Sequence, residues 1–417
     1  MTEINTIICG DSAEVLLQYP DNFFDSVVCD PPYGLSKEPD IAEVLTKWLA
    51  GEAYDHGHGG FMGKSWDSFV PHPDLWREVF RVLKPGGHAL VFAGTRTQDL
   101  MTIAMRLGGF EIRDVIEWLY FSGFPKSMDV GKAFDKREGV WRGRAGKVVS
   151  DNGSMTAPNY ERTPKGEAVG EAVGDLARKW DGWGTALKPA HEPIIVARKP
   201  LAGTVADTVE KYGTGAINID GCRIADEGYA DKAIRKYSGV INTDKSVGNG
   251  FMTSNGGKIE CQRPEALEKG RFPANAITTD DDAFYSQYLN VTPREVCKKA
   301  SKADRNADWT GAEIALEPKF TRTMGDGIGA RPHNEAQPTA YNRNSHPTVK
   351  PTDLMAWLVR LVTPPGGTVL DPFAGSVSTL VAAKREGFGY VGIEREPEYA
   401  EIIRARVEIT EEMEAAA

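Results

Sequence analysis

The sequence predicts an α/β fold: an open, doubly wound parallel sheet, covered by helices on both faces and interrupted by large irregular insertions. Both ends of the 417-residue chain alternate short apolar strands with amphipathic helices, a pattern typical of such sheets. The stretches 126–190 and 201–345 are rich in Gly, Asn, Asp, Ser and Pro and show weak periodicity. One α/β domain is therefore expected to form from the two ends, with mostly loop inserted between them.

The predicted elements follow from the apolar runs and the turns that bound them. In the N-terminal part they are a strand at 4–9, a helix at 12–18, a strand at 25–29, a helix at 74–83 ended by Lys84–Gly87, and strands at 88–93, 115–120 and 193–197. In the C-terminal part they are a helix at 353–362, a strand at 368–370, a helix at 378–385, a strand at 390–393 and a closing helix from Pro397. Together these elements supply seven strands.

Composition argues against several classes of protein. No window holds about 20 consecutive apolar residues, and no basic segment precedes an apolar run at the N-terminus, so a cytoplasmic protein without a membrane span is expected. The five cysteines are scattered and form no C-x-x-C pair, which argues against a disulfide framework or a zinc site. His56 and His58 share a glycine-rich run, for which a solvated loop is favoured over a metal site, and no metal is predicted.

The net charge of −10 is unevenly distributed along the chain. Residues 126–350 hold 34 basic and 30 acidic residues, whereas the two end segments together hold 15 basic and 29 acidic ones. Attraction to a phosphate backbone depends on the local potential rather than on the total charge. The charge pattern therefore permits nucleic-acid binding by the middle of the chain without establishing it.

The segment Asp30–Gly34 (DPPYG) directly follows a predicted buried strand. Two consecutive prolines stiffen the chain at the carboxyl end of that strand, where ligands bind in open α/β sheets. The turn presents the carboxylate of Asp30, the carbonyl of Pro31 and the ring of Tyr33. These groups suit a planar base, whose amino group would donate two hydrogen bonds while its ring stacks on the tyrosine. The alternative is a rigid loop whose aspartate caps a helix and whose tyrosine packs in the core.

A second turn, Asp371–Ser376 (DPFAGS), leads from an apolar strand into a helix. Small residues in such a turn let a cofactor approach the backbone closely. Glu394 follows 23 residues after Asp371 and ends the next strand, which matches the acidic residue that receives ribose hydroxyls. The pair of features indicates a cofactor that contains adenosine, and the absence of a P-loop lysine disfavours a bulky phosphate.

Taken together, DPPYG and DPFAGS resemble the catalytic and cofactor motifs of the amino-methyltransferases of DNA. The catalytic motif comes first, as in the permuted β-group of adenine-N6 and cytosine-N4 DNA methylases, and the middle resembles prophage-borne members. The resemblance covers 1–125, 186–200 and 346–412, and it implies a Rossmann-like, seven-stranded methyltransferase sheet. It also implies S-adenosylmethionine as the cofactor.

The resemblance assigns roles to individual residues. It implies catalytic roles for Asp30, Pro31, Pro32 and Tyr33, and cofactor-binding roles for Asp11, Lys350, Asp371, Phe373, Gly375, Ser376 and Glu394. Asp11 could instead merely cap the following helix, and Lys350 could be a solvated surface lysine. The family usually has a second glycine where Val377 stands, so this β-branched residue could crowd the cofactor.

The implied organisation is a catalytic half at 1–125, an insertion at 126–190, the last catalytic strand at 191–200, a target-recognition region at 201–345 and a cofactor half at 346–417. The implied activity is methylation of the N6 amino group of a flipped adenine in double-stranded DNA. Alternatives are cytosine-N4 methylation, a non-catalytic DNA-binding relative, and an enzyme that acts on small molecules. A homodimer and a separate restriction enzyme both stay open as partners, and the expected location is the cytoplasm of a bacterial or phage-infected cell.

Overall fold

A computed structural model of the chain describes residues 3–35, 37–57, 67–120, 127–140, 171–223, 270–278, 290–291, 349–375 and 377–400. The chain divides into two compact units. The first combines Met1–Tyr120 with His191–Ala417, and the second is Phe121–Ala190. The sheet lies in the first unit.

Nine strands of the described residues form one sheet with the order β1-β9-β8-β2-β3-β5-β4-β6-β7. Their bounds are Thr6–Cys9 (β1), Phe24–Cys29 (β2), Leu83–Phe92 (β3), Glu111–Leu119 (β4), His191–Arg198 (β5), Ala276–Thr278 (β6), Asn290–Val291 (β7), Thr368–Asp371 (β8) and Gly389–Glu394 (β9). All seven predicted strands are present, which confirms the α/β fold. The two additional strands, β6 and β7, lie in the stretch expected to be mostly loop, and they are too short to produce a sequence pattern.

The sheet is mixed, because one of its strands runs against the direction of the predicted open parallel sheet. Strands β1, β9, β8, β2 and β3 run parallel to one another. Strand β5 is antiparallel to both β3 and β4. The amino end of β5 therefore lies at the edge where the parallel strands end, a placement that periodicity along one strand cannot reveal.

The helices of the first unit join and cover these strands. Their bounds are Ser12–Leu16 (α1), Ile41–Ala50 (α2), Pro73–Val82 (α3), Gln98–Leu107 (α4), Val205–Tyr212 (α7), Thr352–Val362 (α8) and Ser378–Arg385 (α9), with a 3-10 turn at Asp220–Cys222. Capping explains several of the boundaries: Asp40 accepts from two amides at the start of α2, and Gly51 ends that helix in a left-handed conformation. The closing helix begins at Pro397 and is described as far as Ala400.

Two apolar layers cover the two faces of the sheet. Adjacent residues of β2 alternate between them, because Val28 packs in one layer and Val27 and Cys29 in the other. The first layer contains the apolar residues of α8 and α9, and the second contains those of α1, α3 and α4. Both faces are buried, as the continuous apolar runs predict.

Helix α3 ends at Val82 with Leu83 as its C-cap, one residue before the predicted end, and Lys84–Gly87 belong to strand β3. These four residues bulge out of β3, whose register with β2 jumps from Leu83 to His88. Gly86 has a φ of +79° and lies so close to Gly215 that a Cβ would come within 2.9 Å of its Cα. The segment therefore serves as a bulge that fits against another loop.

The second unit contains helices α5 (Val130–Arg137) and α6 (Asp175–Lys179). The fully buried Asp135 joins them by accepting hydrogen bonds from the backbone amides of Val173 and Gly174. A bridge between Asp129 and Gly184 adds a short β contact. Across both units, no helix within the described ranges has the length and apolarity needed to cross a bilayer.

Candidate active site

Four neighbouring parallel strands each lead into an acidic residue at the same edge of the sheet. In the spatial order β1, β9, β8, β2, these residues are Asp11, Glu394, Asp371 and Asp30. Asp11 and Asp30 follow their strands, whereas Asp371 and Glu394 are the last residues of theirs. We call this set the acidic row. Carboxyl ends of parallel strands are where ligands bind in open α/β sheets, and this edge carries negative charge suited to a cation.

The turn after β2 is held by side chains from two other segments. Asp67 accepts hydrogen bonds from the backbone amides of Tyr33 and Gly34 at 2.9 and 3.2 Å. The hydroxyl of Thr97 donates to the carbonyl of Tyr33 at 2.6 Å. Gly34 has a φ of +65° and lies against the backbone of Phe69, so another residue would be strained there. Asp67 and Thr97 were not predicted, since nothing in the sequence marks them as partners of a distant turn.

Lys350 lies in the site rather than on the surface. Its ammonium donates to Asp30 Oδ2 at 2.6 Å and to the Tyr33 hydroxyl at 3.1 Å, and it lies 3.3 Å from Glu192 Oε2. Lys350 is only 6% exposed, so the solvated-lysine alternative is wrong. The Tyr33 hydroxyl in turn donates to Glu192 Oε2 at 3.0 Å. We call Asp30, Tyr33, Glu192 and Lys350 the charged cluster.

Glu192 is the member of the cluster that the sequence analysis missed. It lies near the amino end of β5, and the antiparallel direction of that strand brings it to the edge formed by the parallel strands. The only signal in the sequence was an acidic residue next to a predicted apolar strand. Many solvated acidic residues show the same pattern, so it does not identify a site residue. Only the strand order shows that this border faces the turn after β2.

Burial and charge oppose each other in this cluster. Burial raises the pKa of Asp30; the Lys350 ammonium acts against that rise and Glu192 adds to it. Burial acts against the Lys350 ammonium, but attraction to Asp30 and Glu192 outweighs it, so the pKa of Lys350 is raised. Burial and the two carboxylates hold the pKa of the Tyr33 phenol well above its usual value. The cluster therefore combines a neutral phenol with a charged lysine.

The turn after β8 is organised by backbone amides that donate to carboxylates. The amide of Phe373 donates to Asp371 Oδ1 at 3.0 Å. The amides of Gly375 and Glu396 donate to the two oxygens of Glu394, each at 2.8 Å. Burial raises the pKa of Asp371 to about 7 and also raises that of Glu394. Asp371 is nearly fully buried, and hydrogen bonds from Thr379 and Phe373 offset the cost of its charge only in part.

The other predicted cofactor residues have different surroundings. Asp11 accepts a hydrogen bond from the Ala13 amide at 3.0 Å and thereby caps α1, as the helix-capping alternative expected. A cofactor contact of Asp11 stays a prediction. The half-buried ring of Phe373 packs beside Trp76, with centroids 6.2 Å apart. Ser376 lies outside the described residues.

Val377 has a left-handed backbone, with a φ of +68°, at the start of α9. Its side chain is fully buried among apolar residues of the layer formed by α8 and α9. The side chain therefore packs in the core, whereas the sequence analysis raised the prospect of its crowding a cofactor. A β-branched residue in this conformation costs about 1–3 kcal/mol, which glycine would avoid.

We expect Val377→Gly to be more stable than Val377→Ala. Both variants lose a buried side chain worth about 1.5–3 kcal/mol, but only glycine also relieves the backbone strain. Chemical denaturation measures the two free energies of unfolding. Val381, buried within the same helix, is the matched control, since there alanine should be the more stable by about 1 kcal/mol. If alanine were the more stable substitution at Val377 as well as at Val381, the backbone of Val377 would not be strained.

The sheet order and the chemistry of its edge define the class of this protein: a Rossmann-like α/β protein with a polar ligand site where its parallel strands end. The chain belongs to the N6/N4 DNA methylase family, whose family model, described as DNA methylase, matches residues 24–405.

Two curated relatives are similar to parts of the chain. It is 24% identical over 235 residues to the type II methyltransferase M.HindIII of Haemophilus influenzae, covering 52% of this chain and 65% of that protein. It is 45% identical over 67 residues to the type II methyltransferase M2.DpnII of Streptococcus pneumoniae, covering 16% of this chain and 25% of that protein. The chain thus spans less than two thirds of the length of each.

Solved structures also resemble the chain. The cytosine-N4-specific PvuII DNA methyltransferase is 14% identical, with a TM-score of 0.42 and coverage of 99% of this chain and 92% of that chain. The protein TTHA0409 of Thermus thermophilus, solved in complex with S-adenosylmethionine, is 16% identical, with a TM-score of 0.39 and coverage of 97% of this chain and 93% of that chain.

Proposed function

We propose that this chain is a DNA methyltransferase that uses S-adenosylmethionine to methylate the N6 amino group of adenine. The observation that carries the proposal is the acidic row, which ends at the stiff turn of Asp30 and Tyr33. The row offers anionic partners to a ligand that carries positive charge, and its last member, Asp30, is followed in the chain by the carbonyl of Pro31 and the ring of Tyr33. Family membership supports the same function.

The residues of the acidic row suit S-adenosylmethionine chemically. Carboxylates at Glu394 and Asp11 are proposed to receive the ribose hydroxyls and the adenine end, and Gly375 allows close approach beside them. Asp371, whose buried charge is only partly offset by hydrogen bonds, is the proposed partner of the cationic part of the cofactor. When bound, the cofactor supplies a methyl group that its sulfonium charge makes electrophilic. Phe373 and Ser376 are proposed as further contacts.

The DPPY turn is proposed to hold the target base. The amino group of the base donates to the Asp30 carboxylate and to the Pro31 carbonyl, and the ring of Tyr33 stacks on the base. Pro32 keeps these groups in fixed positions. Asp30 accepts the proton that the nitrogen releases once it has been methylated. The base has to leave the duplex to reach the turn, at a cost of about a few kcal/mol that stacking partly offsets.

DNA recognition is assigned to the middle of the chain. We propose that 1–125 with 191–200 forms the catalytic half, 346–417 the cofactor half, 126–190 an insertion, and 201–345 the target-recognition region. Most of 201–345 lies outside the described residues. Adenine is favoured over cytosine because cytosine-N4 members of the family more often carry serine where Asp30 stands. A homodimer and a separate restriction enzyme are compatible with this assignment.

The experiment that tests the function is mass spectrometry of nucleosides from DNA incubated with the protein and S-adenosylmethionine. N6-methyladenine is the expected product, and N4-methylcytosine would correct the target base. Tight DNA binding without any methylated nucleoside would overturn the enzymatic function and favour a non-catalytic DNA-binding protein. Methyl transfer to small molecules but not to DNA would replace the proposed substrate.

Tyr33 offers a test of the stacking role. We expect Tyr33→Phe to keep most of the methyl transfer, because the ring remains, and Tyr33→Ala to lose about 10- to 100-fold, because stacking is worth about 1–3 kcal/mol. Initial rates on a DNA substrate measure both. Equal losses in the two variants would assign the role of Tyr33 to its hydroxyl, which contacts Glu192, instead of to its ring.

A further inference from the structure

Three donors converge on the carboxylate of Glu192. The Tyr33 hydroxyl lies 3.0 Å from Oε2 and the Lys350 ammonium lies 3.3 Å from the same oxygen. The Tyr120 hydroxyl, at the end of β4, is a third hydrogen-bond partner. A carboxylate at a sheet border with three such partners is fixed in position. Glu192 is therefore linked to Asp30 through the ammonium of Lys350, which contacts both carboxylates.

The charges in the cluster are unequal, since two carboxylates share one ammonium. The side chains of Asp30, Glu192 and Lys350 are 17%, 16% and 7% exposed, so water screens their interactions weakly. Lys350 is also flanked by the rings of Phe92 and Tyr33, with centroids 4.8 and 5.2 Å from its nitrogen. The rings confine the ammonium between the carboxylates.

The position of Lys350 bears directly on the proposed reaction. Its ammonium donates to Oδ2 of Asp30, a carboxylate that is proposed to accept from the target amino group. A lysine drawn wholly toward Asp30 would compete with that amino group for the carboxylate. A second carboxylate on the other side of the lysine opposes this movement and leaves Asp30 with more negative charge.

We propose that Glu192 is a positioning residue for methyl transfer, which holds the Lys350 ammonium between two carboxylates and so keeps Asp30 available to the target amino group. This inference rests on the proposed function. In it, Glu192 contacts neither base nor cofactor and acts through Lys350 and Tyr33. Loss of its charge leaves Lys350 paired with Asp30 alone.

The test compares Glu192→Gln with Lys350→Met, using the pH dependence of kcat. The titratable groups that interact electrostatically with the Asp30 carboxyl are Lys350, Glu192, Tyr33, Asp371 and Cys29. Removing the negative charge of Glu192 should lower the pKa of Asp30. The acid limb of the pH profile of kcat should then move to lower pH by about one unit, and kcat itself should fall about tenfold. Removing the positive charge of Lys350 should move the acid limb to higher pH.

Glu111→Gln is the matched control, because Glu111 pairs with Arg198 at the opposite end of the same β4–β5 ladder. It should leave both the rate and the pH profile unchanged. Circular dichroism and DNA affinity establish that each variant is folded. Should Lys350→Met fail to fold, Glu192→Gln still decides, since glutamine has the same shape as glutamate.

The outcomes separate the inference from the function on which it rests. Wild-type protein without methyl transfer to DNA would overturn the proposed function. The positioning role would be overturned if the wild-type protein were active but Glu192→Gln had the same acid limb in the pH profile of kcat, whatever its loss of rate. A merely structural residue lowers kcat without moving its pH dependence. Opposite displacements in the two variants would support it.

Discussion

Replacing Asp30 by asparagine is expected to reduce methyl transfer about 1000-fold while the fold and cofactor binding persist. The carboxylate is proposed both to draw electron density onto the target nitrogen and to accept its proton, and an amide does neither. Asparagine keeps the shape of the side chain, and Lys350 keeps its contact with Glu192. Single-turnover rates with radiolabelled cofactor measure the loss.

Asp40→Asn is the control for this prediction. Asp40 caps α2 through its side chain, a role that asparagine performs equally well, so rate and stability should both be unchanged. Asp30→Ala should lose as much activity as Asp30→Asn. An Asp30 variant that methylates DNA at the wild-type rate would remove Asp30 from the mechanism.

Asp371→Asn is expected to stabilise the protein without cofactor by about 4 kcal/mol at pH 8. Burial raises the pKa of Asp371 from 3.8 to about 7. One pKa unit corresponds to about 1.4 kcal/mol, so keeping the buried group ionised costs the folded protein about 4 kcal/mol. Asparagine accepts the Phe373 amide without carrying a charge. Chemical denaturation of both proteins at several pH values measures the difference.

The direction of the pH dependence follows from the sign of the shift. Below about pH 4 the carboxyl is protonated in both the folded and the unfolded chain, so it contributes nothing to the difference. Between about pH 4 and 7 the folded protein retains a proton that the unfolded chain has lost, and wild-type stability falls as the pH rises. The advantage of the variant should therefore grow across this range and level off above it.

The same substitution should weaken binding of S-adenosylmethionine, because it removes the proposed partner of the cationic part of the cofactor. Isothermal titration calorimetry at pH 8 measures this loss. Asp25→Asn is the contrasting control: Asp25 is buried but contacts Lys84 at 2.6 Å and the Thr368 amide at 2.8 Å, so its substitution should destabilise the protein. A stabilised Asp371→Asn variant with unchanged cofactor affinity would remove Asp371 from the cofactor site.

Seven of the nine strands and the two turns could be predicted from the sequence because their signals are local. Apolar runs such as Phe24–Cys29 end in turns whose proline and small residues mark the carboxyl edge. The bulge at Lys84–Gly87 could not be predicted, since its residues also suit a helix end, and the difference depends on its fit against Gly215.

The charged cluster illustrates the limit of such reasoning. Lys350 was assigned to the cofactor, yet its ammonium contacts Asp30 and Tyr33, which lie more than 300 positions away. Glu192 carries no motif at all. The position of Glu192 depends on strand order and on the antiparallel direction of β5, which are properties of the whole sheet.

The acidic row has a consequence for how a nucleic acid could meet this protein. In the proposed function, the carboxylates of this row repel the sugar–phosphate backbone of DNA, so other surfaces of the protein would have to bind the duplex. An extruded nucleobase has no charge and does not meet that repulsion. The charge of this edge would therefore allow neutral heterocycles and cations to bind and would repel polyanions.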